Sequence, residues 1–152
     1  MACPARSNTP CITGSCAVFQ ITSAPLAVRL ALREVFDHSI MYGLSKDARG
    51  TAELVLAEAL NNIVEHAYGR DDGQIELRLR QTGGRLACDV FDAGLPMPDG
   101  ELPAGLAQII GEDNDLPEGG FGWFLIRTLT EELTYRRIDA RNHLSFKLNI
   151  EQ

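Results

Sequence analysis

Residues 51–67 read TAELVLAEALNNIVEHA, and the choice of fold turns on how they sit around a helix. At about 100° per residue, Leu56, Leu60, Ile63 and Ala67 share one side, a stripe suited to a core. Glu58, Asn62 and Glu65 share the opposite side, because spacings of four and three residues return to one face. His66 lies beside Asn62, and Leu54 and Val55 flank the polar strip. A surface helix ordinarily has a broad solvated face, whereas a narrow polar strip with apolar edges suits a lined cavity. Periodicity alone leaves plain solvent exposure equally open. If the strip lines a cavity, an Asn amide oxygen is a ligand for a hard cation such as Mg²⁺. A Glu four residues away can accept a proton from an attacking hydroxyl or water.

Working outward, this helix is expected to start after Gly50 and end near Gly69. Upstream, residues 1–14 (MACPARSNTPCITG) read as a flexible lead-in, leaving residues 15–152 as one domain. Cys16–Ile21 is a short β-prone run. Ser23 and Pro25 resemble a helix start, with the Ser as cap and Pro in the first turn. That helix is expected to run toward Ile40, with Gly43 beyond it.

Downstream, Ile75, Leu77 and Leu79 alternate with Glu76, Arg78 and Arg80, the signature of a half-buried strand. Gly83-Gly84 marks a turn, and Leu86, Cys88 and Val90 belong to the returning strand. Residues 93–118 show little periodicity beyond Leu106–Ile110 and read as a long excursion with one short helix. A helix is expected from about Gly120 to Leu133. A second hairpin follows, from Leu133–Arg137 through a turn near Asp139–Asn142 to Leu144, Phe146, Leu148 and Ile150. The order β-α-α-β-β-loop-α-β-β predicts an α+β fold, a two-layer sandwich with helices on one face of a mixed, mostly antiparallel sheet.

Composition narrows the function. The chain has 152 residues, 45% of them hydrophobic, enough for the core of one domain. A net charge of −7 and the lack of a basic patch argue against a direct nucleic-acid partner. No apolar run approaches the ~18 residues of a membrane span, and no signal peptide is visible. The expected compartment is therefore the cytoplasm. The cysteines at 3, 11, 16 and 88 lack ligand-pair spacing and read as free thiols rather than a zinc site.

Two further segments carry chemistry. Asp92-Ala-Gly94-Leu-Pro96 follows a strand directly. A carboxylate there can accept a hydrogen bond from an exocyclic amine such as adenine N6, with Gly94 allowing close approach. A plain strand-exit turn has the same composition. Gly119-Gly120-Phe121-Gly122 opens a predicted helix, whose free N–H groups suit phosphate. It is neither a P-loop nor a dinucleotide fingerprint.

Together, in this order and spacing, the three segments resemble the nucleotide-binding boxes of the gyrase, chaperone, histidine-kinase and mismatch-repair ATPase superfamily. Glu58-Ala-Leu-Asn-Asn62, Glu65-His66-Ala67-Tyr68, Asp92-Ala-Gly94-Leu-Pro96 and Gly119-Gly-Phe-Gly122-Trp-Phe-Leu-Ile126-Arg look like the anti-sigma factor serine kinases within it. The resemblance covers about residues 16–150. It implies the histidine-kinase-like ATPase (Bergerat) type of sandwich, with ATP between the helical layer and a long lid. It implies Glu58 as general base and Asn62 as the Mg²⁺ ligand. It assigns adenine to Asp92 with Gly94 alongside, the phosphates to Gly120 and Gly122, and a place near the nucleotide to His66. It also implies a homodimer that phosphorylates a serine of an anti-anti-sigma protein and binds a sigma factor.

One departure stands out. From Ala93 to Ile126 there is no Lys or Arg, while Asp99, Glu101, Glu112, Asp113, Asp115 and Glu118 fall in that stretch. Phosphoryl transfer benefits from positive charge beyond Mg²⁺, which leaves Arg127, Arg70 or a partner to supply it. Two alternatives to a serine kinase therefore stay open. One is a regulatory module that binds nucleotide with little or no transfer. The other is a detached catalytic domain passing phosphate to a histidine.

Overall fold

The computed structural model describes residues 16–67, 73–103 and 120–151. The expected lead-in over residues 1–14, the short helix at Leu106–Ile110 and most of the acidic lid lie outside them. The five strands are β1 (Cys16–Thr22), β2 (Gln74–Thr82), β3 (Arg85–Asp92), β4 (Glu131–Ile138) and β5 (Arg141–Asn149). They form one sheet in the order β1-β2-β3-β5-β4. Every pairing is antiparallel, so the sheet expected to be mixed is antiparallel throughout the described strands. Tight hairpins make β2–β3 and β4–β5 antiparallel by construction, and Gly83 and Gly84 take the left-handed conformation that the first turn needs.

Strand alternation sets the layers. Ile75, Leu77, Leu79, Leu86, Cys88, Val90, Leu144, Phe146 and Leu148 point to one buried face. The helices α1 (Pro25–Asp37), α2 (Lys46–Asn62) and α3 (Gly120–Leu129) supply the rest of that core through Val28, Val35, Leu56, Leu60, Trp123 and Ile126. The opposite face carries Glu76, Arg78, Asp89, Phe91, Arg141 and His143. There the Arg78 and Arg141 guanidiniums and the His143 ring pack on Phe91.

Several boundaries differ from expectation. α2 starts at Lys46, not after Gly50, because Ser45 Oγ accepts a hydrogen bond from the Ala48 N–H at 3.1 Å and caps the helix. Ser23 does not cap α1: the cap position is Ala24, without a side-chain bond, and Ser23 Oγ is buried without a partner among the described residues. α1 ends at Asp37, and a separate 3₁₀ turn covers Ser39–Met41. α3 stops at Leu129 rather than Leu133. Thr130 Oγ1 donates back to the Ile126 carbonyl, and Glu132 takes φ 52° where β4 bulges against β5. Cys16 is disulfide-bonded, against the expected free thiol, whereas Cys88 is free and buried.

After Asn62 the α2 ladder loosens into a π-helical turn over Ile63–Ala67. Such turns close hydrogen bonds to the fifth residue rather than the fourth, and so rotate less per residue. The wheel of the ordinary α-helix therefore fails beyond Asn62.

Candidate functional site

The first half of the site lies where α3 crosses α2. Leu56, Leu60, Val55 and Ala59 bury the core side of α2, which turns Glu58 and Asn62 toward the start of α3. Gly122 sits over both. A β-carbon placed on it would lie 2.7 Å from Glu58 Oε2, 3.4 Å from Asn62 Nδ2 and 3.5 Å from Asn62 Oδ1. The carboxylate and the amide thus flank one point, and a side chain on residue 122 fits above them only if the Glu58 carboxylate moves aside. Asn62 is buried, and its Nδ2 has no hydrogen-bond partner among the described residues. A buried amide N–H left unpaired costs about 1–3 kcal/mol, and it suits a group that brings an acceptor oxygen, as a phosphate does. A side chain with a hard oxygen donor beside a carboxylate fits a Mg²⁺–phosphate group.

The second half lies at the ends of β3 and β5. Asp92 closes β3 facing inward and is 5% exposed. Its Oδ1 accepts from the Gly94 N–H at 2.9 Å and from Asn142 Nδ2 at 2.8 Å. Burial pushes the Asp92 carboxyl above the ordinary range, against the opposing pull of Asn142, the Gly94 N–H, Arg137 and Arg141. Gly94 packs on the π turn: a β-carbon there would lie 2.5 Å from the Ala67 carbonyl oxygen, which the Leu95 N–H also reaches at 2.7 Å. This contact joins the two halves.

The structure thus brings Glu58, Asn62 and Gly122 together, and separately Asp92 and Gly94. Gly120 begins α3 two residues before Gly122. Glu65 and His66 do not join Glu58. Both are exposed and face one another at 3.6 Å, because the π turn carries them off the strip. Arg127 is engaged elsewhere, donating to the carbonyls of Pro103 at 2.7 Å and Leu102 at 3.2 Å. Gly119 and Arg70 lie outside the described residues.

Sequence reasoning missed Asn142, Tyr135 and Arg137. Tyr135 Oη donates to Asn142 Oδ1 at 2.5 Å, and Arg137 Nη1 donates to the same oxygen at 2.9 Å. The signal was present for Asn142. Leu144, Phe146 and Leu148 face inward, and position 142 has the same parity.

A family model described as Histidine kinase-like ATPase domain matches residues 21–148. The chain belongs to that family. Both halves of the site fall inside the matched span of the histidine kinase-like ATPase domain. Among curated relatives, Serine/threonine-protein kinase BtrW of Bordetella bronchiseptica is 37% identical over 99 residues, 64% of this chain and 68% of the relative. Serine-protein kinase RsbW of Bacillus thuringiensis is 29% identical over 119 residues, 77% of this chain and 67% of the relative. Among solved structures, the catalytic domain of histidine kinase ThkA superposes with a TM-score of 0.49 at 16% identity, covering 90% of this chain and 96% of that one.

Proposed function

We propose that this histidine kinase-like ATPase domain is a Mg-ATP-dependent serine-protein kinase acting as an anti-sigma regulatory factor. Its substrate is a serine hydroxyl on a small anti-anti-sigma partner. The convergence of Glu58, Asn62 and Gly122 on one point carries this reading, and the kinase names of the relatives support it. Mg-ATP, when bound, supplies the γ-phosphoryl group and the charge that steadies it. Glu58 accepts the serine proton as the hydroxyl oxygen attacks. Asn62 provides the protein oxygen for the cation, and Asp92 accepts from adenine N6. Gly94 keeps the backbone close to the base, and Gly120 and Gly122 leave room for phosphates at the start of α3. His66, exposed on the π turn beside Glu65, has its place near the nucleotide from the family resemblance alone. By the same resemblance the protein works as a homodimer and also binds a sigma factor, with the cytoplasm as its expected compartment. Among the described residues no helix is long and apolar enough to cross a membrane.

The test is transfer from labelled ATP to a candidate partner, with nucleotide binding measured first. Glu58→Gln abolishes transfer and leaves ATP binding largely intact; full transfer by that variant would remove Glu58 as the base. An acid-labile product in place of acid-stable phosphoserine would point instead to a histidine acceptor.

A second reading has its own observation. No Lys or Arg occurs between Ala93 and Ile126, and the guanidinium of Arg127 is spent on the Leu102 and Pro103 carbonyls. A module that binds nucleotide in order to bind a partner, with little transfer, fits that shortage of cations. ATP binding without labelled partner would decide for it.

A further inference from the structure

Asn142 sits at the start of β5, directly across from Asp92 in the sheet register. It is 5% exposed, and its amide is fully used. One Nδ2 hydrogen goes to Asp92 Oδ1 at 2.8 Å and the other to the Leu95 carbonyl at 2.9 Å, with the Gly94 carbonyl at 3.4 Å. Both acceptor positions of Oδ1 are filled, by Tyr135 Oη and Arg137 Nη1. An amide has two donors and two acceptor sites, so this one is saturated. A flipped amide would set an oxygen against Asp92 and Leu95 and an N–H against Arg137. Only one orientation is therefore stable.

The clamp extends on both sides. Tyr135 gives its proton to Asn142, so its oxygen is free to accept from the Met97 N–H at 3.0 Å. Arg137 Nη1 also reaches the Gly94 carbonyl at 2.9 Å. The turn after β3 is thus tied at Gly94, Leu95 and Met97 to side chains of β4 and β5. Both bonds to Asp92 fall on Oδ1, which sets the plane of the carboxylate and leaves its second oxygen clear of them.

We infer that Asn142, braced by Tyr135 and Arg137, is a positioning residue that aims the Asp92 carboxylate and thereby sets the preference for a purine bearing a 6-amino group. This rests on the reading of Asp92 as the residue that accepts from the base. A carboxylate held in one plane rewards an amine at position 6 and penalises a carbonyl there, because a buried acceptor facing an acceptor is left unpaired. A loosely held carboxylate turns away and loses that selectivity.

The test compares equilibrium binding of ATP with that of purine riboside triphosphate, which lacks the 6-amino group. It uses Asn142→Ala, Tyr135→Phe and Asp92→Ala in the full chain. The unmodified protein prefers ATP by about tenfold or more, the scale of one hydrogen bond to a charged group. Asn142→Ala lowers ATP affinity by about tenfold while the analogue's affinity stays within about twofold, as expected for loss of that one bond. Tyr135→Phe moves the ratio in the same direction by less. General damage to the fold would weaken both ligands alike and leave the ratio unchanged. An unchanged ratio in both clamp variants, with preference lost in Asp92→Ala, overturns the clamp and keeps the Asp92 reading. Preference retained in Asp92→Ala overturns both. If Asn142→Ala does not fold, Tyr135→Phe, which removes one hydroxyl, decides alone.

Discussion

Gly122 stands so close to Glu58 that a single methyl group on it would lie 2.7 Å from the carboxylate oxygen Oε2. The crowded atom is the tip of a flexible side chain, so Gly122→Ala folds and Glu58 swings aside. A positioned base contributes about 10²–10⁴-fold, and its displacement should cut phosphoryl transfer by about a hundredfold. Thermal unfolding should shift by only a few degrees, about 1 kcal/mol or less, typical of a helical Gly→Ala exchange. Single-turnover transfer and a melting curve on the same sample check both; an unchanged rate would separate Gly122 from the work of Glu58.

Asn62 should trade ligand binding against stability. Its buried Nδ2 has no partner among the described residues, and an apolar group of similar shape removes that cost of about 1–3 kcal/mol. Asn62→Leu is therefore expected to melt higher than the parent without nucleotide. Adding Mg-ATP should raise the parent's melting temperature and leave the variant's unchanged. A full nucleotide-induced shift in the variant would exclude Asn62 from the site.

The buried Asp92 carboxyl, with its raised pKa, makes both stability and binding depend on pH. Between the ordinary carboxyl pKa of about 4 and the raised folded value, the native state holds more protons than the unfolded chain. Stability therefore increases as pH falls through that window, and the penalty of the charged form is fully present above it. Asp92→Asn keeps an acceptor for Gly94 and Asn142, so it should melt higher than the parent at pH 7. The gain should vanish below about pH 4. In the parent, ATP affinity should weaken as pH falls through the same window, because a protonated carboxyl no longer accepts there. Melting curves and ATP titrations across pH test the two signs separately.

The β4–β5 turn contains Asp139 at φ 54° and Ala140 at φ 60°. Both central residues are left-handed, as in the primed hairpin turns that favour glycine second. Ala140→Gly should stabilise the fold by about 1 kcal/mol by relieving the β-carbon contact. A urea midpoint shifted upward with an unchanged slope would show it. A downward shift would mean that the added freedom of the unfolded chain outweighs the relief.

Much of the fold was legible because alternation and helical spacing are local. Ile75, Leu77 and Leu79 announced β2, and Leu56, Leu60 and Ile63 announced the buried side of α2. The shared face of Glu58 and Asn62 was legible for the same reason. The misplaced features have local causes that pattern reading passes over. Ser45 caps α2 ahead of a glycine that appeared to interrupt it. The π turn rotates Glu65 out of line with Glu58. The clamp on Asp92 was hidden because Asn142 looks like a turn residue, and its partners Tyr135 and Arg137 come from a neighbouring strand. Sequence spacing carries no record of that side-by-side pairing.

Gly94 and Leu95 rest on the carbonyl of Ala67, a narrow contact between the two halves of the site. Glu58, Asn62 and Gly122 belong to helices, whereas Asp92, Asn142, Tyr135 and Arg137 belong to the sheet. On the roles proposed for them, loss of Glu58 removes transfer and spares recognition of the nucleotide, and a change among the sheet residues retunes the base accepted without touching the chemistry. Enzyme and mute binder are then separated by single substitutions on one side of that seam.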